Sequence, residues 1–365
     1  MRSHGKLRAI CALTAVSAVA IISVQQQANA TVAIRQRMFG EQYVDAVTGA
    51  VDADKVILSW FGVTNFAAAI GGNVVLLDAW IPRGEYSGYV PVTHDDLIAL
   101  DPSHILLGHG HFDHAADAAP LAIATGATIL GTPEHCDQAI RQALPATLSC
   151  EGVVPRGSPP GTTADVDALD GVTMTAVKHV HSAAEPPDPD DPGAPHAPAT
   201  PLPDANAVIE HLPAPQDTAH LLTHLGDAEG DTILWQFTVG DFTLLWNDSA
   251  GPLEERAPGV FDVLRALPDT DVQIGAIMGF NQITNGMRDP RMYIEAIEPK
   301  IYVPSHHDNW APGVSTRGEK YRPIIEDELA LIPEDQRPIL RFISDPQDYA
   351  RPEILTFDID SAYWD

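Results

Sequence analysis

Basic residues are scarce in this sequence. Against 50 Asp and Glu stand 21 Lys and Arg, a formal charge of −29 over 365 residues. A nucleic acid or an anionic membrane surface would repel such a chain unless it carried a locally basic face, so neither is expected as a partner. Cysteine is scarcer still. Three residues are too few for a disulfide scaffold, and none forms the paired C-x-x-C spacing of a structural zinc site. Long apolar runs are also lacking: the sixteen residues from Ala9 to Val24 fall short of the roughly 20 that a membrane-spanning helix needs. Apolar material in general is not lacking. Hydrophobic residues make up 45% of the chain, enough for a sizeable core, so the acid excess is no sign of disorder.

The apolar run at the start has a context. Basic Arg2, Lys6 and Arg8 precede it and Ala28-Asn29-Ala30 follows it, the three parts of a secretory signal. Cleavage after Ala30 would leave residues 31–365, three charges more acidic because three basic residues and no acid are removed. The expectation is an exported protein, extracellular or periplasmic, with no stable membrane insertion after cleavage. Cys11 would leave with the signal. Cys136 and Cys150 would remain where disulfides persist, and a single structural bridge between them is expected. Closing so short a loop would contribute about 2–3 kcal/mol.

Beyond the signal, strand and helix signals alternate. Lys55–Trp60, Asn65–Ala69, Asn73–Asp78, Ile105–Leu107 and Thr128–Leu130 read as strands. Thr93–Leu100 reads as a helix capped by Thr93, and Ala115–Thr125 and the residues from Pro133 as two more. The second half repeats the style. Strands are expected at Thr173–Val180, Thr232–Val239, Phe242–Trp246, Val272–Met278 and Lys300–Val303, with a helix at Pro290–Ala296 and a tight turn at Gly240-Asp241. Two halves of mixed strand and helix predict an α/β fold in which sheet packs on sheet with helices outside. Residues 182–230 break the pattern. Ten prolines between Ser182 and Pro215 cannot hold a regular core element, so this is a surface insertion, either a linker or a lid beside His181. Helical character returns at Ala219–Leu225, where His220 and His224 would share a face, as a solvated surface or an additional metal site.

The chemistry concentrates in Gly108-His109-Gly110-His111-Phe112-Asp113-His114, directly after the apolar Ile105–Leu107. Alternate residues of an extended chain share a face, so His109 and His111 can meet one metal while Asp113 and His114 turn toward a second. Imidazole and carboxylate together suit zinc, with iron or manganese as alternatives.

This stretch resembles the H-x-H-x-D-H signature of the metallo-β-lactamase superfamily, and the resemblance continues in order along nearly the whole of residues 31–365. It implies an αββα sandwich, two mixed β-sheets face to face, and two zinc ions. Asp78 in VVLLDAW matches the family's strand-end aspartate, expected to orient ligands from behind. His181 in VKHVHSA matches the next histidine, with His179 as the alternative. Asp248 in LLWNDSAG matches the bridging acid, and His306 in YVPSHHDNW the last histidine, with His307 as the alternative. The resemblance therefore assigns His109, His111 and His181 to one metal and Asp113, His114 and His306 to the other, with Asp248 between them. Asp113 and Asp248 would be the acids at the reaction centre.

The implied activity is hydrolysis of an ester, lactone or amide of a small molecule, with an apolar substrate suited to an apolar lid. The alternatives within the fold are a phosphodiesterase, which an acidic rim disfavours, and a mononuclear iron oxygenase; a non-catalytic metal-binding protein is a third. β-Lactamases of this fold lack an aspartate at the Asp248 position, diiron reductases carry Glu where His111 stands, and nuclease branches have basic surfaces. The motif order is most similar to the branch containing ascorbate-phosphate lactonase and N-acyl-phosphatidylethanolamine phospholipase D. The residues assign no general acid, though His307 and Asp308 lie beside the expected site in sequence.

Overall fold

A computed structural model describes residues 25–183, 206, 209–278, 286–308, 317–344 and 355–364. The apolar run before residue 25 and most of the proline-rich stretch, residues 184–205, lie outside the described residues. A helix over 25–39 opens the described chain. It runs through the expected cleavage point, with 25–30 exposed and Ile34, Met38 and Phe39 buried in the core.

Two seven-stranded sheets follow. The first runs in the order β14 (Thr356–Asp358), β1 (Lys55–Trp60), β2 (Phe66–Ile70), β3 (Asn73–Leu77), β4 (His104–Leu106), β5 (Thr128–Gly131), β6 (Ser149–Gly152). The second runs β13 (Ile339–Leu340), β12 (Ile301–Ser305), β11 (Val272–Ala276), β10 (Phe242–Asn247), β9 (Thr232–Val239), β8 (Thr173–His179), β7 (Thr163–Val166). Each sheet is mixed. Antiparallel meanders, β14-β1-β2-β3 and β7-β8-β9-β10, join parallel halves, β3-β4-β5-β6 and β10-β11-β12-β13. The expected α/β sandwich with two mixed sheets is what the chain forms.

The central strands are apolar on both faces because helices cover what the partner sheet does not. β1, β2, β10, β11 and β12 are buried almost throughout. Strands β6 and β7, which the sequence reading missed, are exposed edge strands with too little apolar signal to mark them. One core cluster joins residues of both sheets, among them Leu58, Leu76, Leu106, Trp235, Phe237 and Leu244. Trp235 Nε1 donates across the sandwich to the Leu107 carbonyl at 3.1 Å.

Local signals explain the helix starts. Thr93 caps His94–Leu100 in a capping box with Asp96, and Thr132 caps Pro133–Ala143 with Pro133 in its first turn. One expected helix is divided. Ala115–Thr125 becomes two pieces, Phe112–Ala115 and Ala118–Thr125, because Asp117 turns inward instead of continuing a helical face. The topology places the site. The C-terminal ends of β3 and β4 in one sheet, and of β8, β10 and β12 in the other, each lead into a loop that carries a chemical group.

Candidate metal centre

Asp78 follows β3 directly, Asp248 follows β10 and His306 follows β12. Asp78 and His306 turn the chain sharply, with φ of 56° and 61°. His109 to His114 lie just beyond β4, and the short Phe112–Ala115 helix turns Asp113 and His114 inward.

These loops bring seven side chains together in three overlapping groups. His109, His111 and His181 form one, Asp113, His114 and His306 another, and His109, His114 and Asp248 lie between them. His109 Nε2 and His181 Nε2 face each other at 3.2 Å, and the His111 ring stands edge-on to both, with centroids 4.9 and 4.7 Å away. Asp113 Oδ2 lies 3.5 Å from His114 Nε2 and 3.3 Å from His306 Nε2. Asp248 Oδ2 lies 2.6 Å from His109 Nδ1 and 3.4 Å from His114 Nδ1.

Asp78 stands behind the cluster. His114 Nδ1 donates to its Oδ2 at 2.7 Å, the Thr64 hydroxyl donates to the same oxygen at 2.6 Å, and Gly108 N donates to Oδ1 at 3.1 Å. The imidazole is thus fixed with Nε2 directed at Asp113. Thr64 was not singled out from the sequence, because its partners come from other strands.

The alternatives point elsewhere. His179 ends β8 and its Nδ1 bonds the buried Tyr293 hydroxyl at 2.8 Å. His307 bonds the Ile343 carbonyl at 2.6 Å and stacks on Trp60 at 5.2 Å. Asp308 accepts from Val63 N at 3.0 Å and from the Tyr89 hydroxyl at 3.4 Å. His220 and His224 lie part-exposed on their helix and are not grouped as metal donors among the described residues. They bond Asp117 and Asp227, each at 2.7 Å.

The electrostatics suit a cation. Burial holds His109 well below the ordinary histidine range, and burial with neighbouring imidazoles brings His111 and His181 to about 4, so all three stay in the neutral, ligating form. Burial, with the nearby Asp78, pushes Asp248 well above the carboxylate range. Burial also opposes the charges on Asp113 and His114, but their mutual attraction, aided by Asp78, lifts His114 well above its ordinary value and drops Asp113 below its own. Two buried polar atoms, His114 Nε2 and Asp248 Oδ1, have no hydrogen-bond partner. A buried ring nitrogen and a buried carboxylate oxygen left without hydrogen-bond partners, among five histidines and two aspartates, fit a bound divalent metal.

Cys136 and Cys150 form the expected bridge, which ties the Pro133–Ala143 helix to β6.

No family model matches the chain. Among curated proteins, a UPF0173 metal-dependent hydrolase of Pyrobaculum aerophilum is 36% identical over 88 residues, 24% of this chain and 37% of that protein. Another from Pyrobaculum islandicum is 31% identical over 126 residues, 34% of this chain and 51% of that protein. The chain spans about half the length of these relatives or less. Among solved structures, Igni18, a metallo hydrolase of Ignicoccus hospitalis, superimposes with a TM-score of 0.50 at 13% identity, covering 80% of this chain and 96% of that one. At that identity the likeness concerns the fold.

Proposed function

We propose that this chain is a metal-dependent hydrolase of the metallo-β-lactamase superfamily, with a two-metal centre that cleaves an ester, lactone or amide. The observation that carries this reading is the seven-residue donor set at the strand ends, with its orphaned His114 Nε2 and Asp248 Oδ1. His109, His111 and His181 would hold one ion, Asp113, His114 and His306 the other, and Asp248 would face both. Zinc suits this mix of imidazole and carboxylate best, with iron or manganese next. Two divalent ions held there would supply Lewis acidity and would lower the pKa of water toward about 7.

The chain's own residues do the rest. Neutral His109, His111 and His181 each keep one unprotonated ring nitrogen with which to bind a cation, and Asp78 keeps His114 in a single orientation. Phe112, between two of the donors, meets Trp80 edge-on at 5.5 Å, within an apolar cluster that includes Val63, Met278 and Met287. That buried cluster backs the donor loop with apolar packing. The net acidity of the chain disfavours polyanions and so supports a carboxylic substrate over a polyanionic phosphoester. The reading includes export, supported by the basic, apolar and A-x-A pattern of the first thirty residues and by the exposure of 25–30. No helix among the described residues is long and apolar enough to cross a membrane.

The test strips the protein with a chelator, verifies metal removal by elemental analysis and assays aryl esters, lactones, anilides, a bis-aryl phosphodiester and a chromogenic β-lactam. Turnover of a carboxylic substrate is expected to vanish with the metal and return with zinc. Full activity with the metal verified absent would overturn the reading. For export, the protein recovered outside the producing cell is expected to begin at Thr31. Recovery only inside the cell, with Met1 retained, contradicts it.

A further inference from the structure

The Pro133–Ala143 helix contributes no metal donor, yet one face of it grips the loop that does. His135 and Gln138, three residues apart, share that face, and both are buried. Gln138 Nε2 donates to the Gly110 carbonyl at 2.6 Å, and its Oε1 accepts from Ala228 N at 3.0 Å. On the other side of the same residue, Gly110 N donates to the Glu229 carbonyl at 2.6 Å. The backbone of Gly110, the only residue between His109 and His111, is therefore held at both its polar atoms.

The backing is itself fixed. His135 Nδ1 accepts from Thr132 N at 3.0 Å, so its proton lies on Nε2, shared between the carbonyls of Glu229 at 3.1 Å and Asp231 at 3.0 Å. Thr132 caps the helix, and the Cys136–Cys150 bridge pins it to β6. No side chain fits at Gly110, where a Cβ would lie 2.6 Å from the Ala228 oxygen. Only glycine lets the 228–231 segment approach closely enough for these bonds. An amide is the group this place requires, because one end must donate to a carbonyl and the other must accept from an N–H.

We infer that Gln138 is a positioning residue for the metal-binding histidines, its side-chain amide fixing the Gly110 peptide and so the directions of His109 and His111. The inference rests on the metal-centre reading above. Gln142, one turn further along the same helix, serves as the internal control. Its hydrogen bonds go to His224 and Asp227, not to the histidine loop.

The experiment titrates metal-free full-length protein with zinc against a chromophoric chelator and records the visible spectrum of the cobalt-loaded form. In Gln138→Met, which keeps the volume but loses both bonds, the zinc dissociation constant is expected to rise about ten- to 100-fold. The cobalt bands should shift, while Gln142→Met stays within about twofold of wild type. Gln138→Asn, which keeps the amide one methylene short of spanning both partners, is expected to move the same way and serves if the Met variant does not fold. Zinc affinity and cobalt spectrum unchanged in a folded Gln138 variant, even one whose metal-free form melts lower, would show a structural role alone and overturn the inference. Wild-type protein that binds no zinc or cobalt would overturn this inference and the metal-centre reading together. Equal binding by wild type and variant overturns only this one.

Discussion

At Gly108 the backbone passes so close to Asp248 that an added Cβ would sit 2.0 Å from the carboxyl carbon. The smallest substitution there must displace the one acid that faces both halves of the centre. Gly108→Ala is therefore expected to retain its fold and lose most of its bound metal, as read by elemental analysis; full metal content would contradict that placement. Asp248→Ala removes the same carboxylate without steric conflict, and turnover should fall to background in a folded protein. How legible these residues were depended on distance along the chain. His109, His111, Asp113 and His114 sit within six positions and announce themselves. His181 could be separated from His179 only by where β8 stops pairing, at His179 opposite Thr232, and that is a property of the sheet. His306 is set apart from His307 by a left-handed turn that aims one ring at the site and the other at Trp60. Gln138, His135 and Thr64 left no trace in the sequence because each meets its partner across the fold.

The Pro215–His224 helix, continuing from the insertion that follows His181, docks on the body through polar contacts. Asp217 accepts from Ala214 N at 2.9 Å and from Tyr86 N at 3.4 Å. The buried Asp117 carboxylate pairs with His220 at 2.7 Å and with His94 at 3.0 Å, and His94 also faces Glu85 at 3.2 Å. Burial lowers the His94 pKa, but the bonds and charges of Asp117 and Glu85 outweigh it and hold the group at about 9. A raised folded pKa stabilises fully below the ordinary value of 6.5 and is lost as pH rises through about 9. Burial likewise opposes the Asp117 charge, but His220 and His94 hold it well below the ordinary 3.8, so its contribution is present above 3.8 and lost on acidification. The melting temperature of wild type should exceed that of His94→Gln at pH 6, with the gap closing by about pH 9. A gap that stays constant would contradict the ion pairing. Asp117→Asn removes the carboxylate that pairs with the part-exposed His94 and His220 and is expected to lower stability in denaturant unfolding at pH 6, by less than a fully buried pair would because solvent screens both rings. Sequence periodicity revealed a helix near Ala219–Leu225 but not its docking, since Asp117, which the part-exposed His220 meets, lies 103 residues away in the chain.

For the whole molecule, one cross-link joins the Pro133–Ala143 helix to the edge strand β6. Cys136 and Cys150 are 14 residues apart, and replacing both with serine should reduce stability by about 2–3 kcal/mol in chemical unfolding. Equal stability would show that the helix is held by its caps and packing alone. The sandwich was legible because its central strands are continuous apolar runs bounded by turn residues. The edges were not, because β6, β7, β13 and β14 are short and partly exposed. The acid excess belongs mainly to the surface. Two of the seven clustered donors are carboxylates, against 50 acids in the chain. Metal binding by that cluster is the central claim. Elemental analysis of the protein reconstituted with zinc and freed of excess is the most direct measurement. Two zinc ions per chain are expected in wild type and fewer in Asp248→Ala. A folded wild-type chain that retains no metal would contradict it.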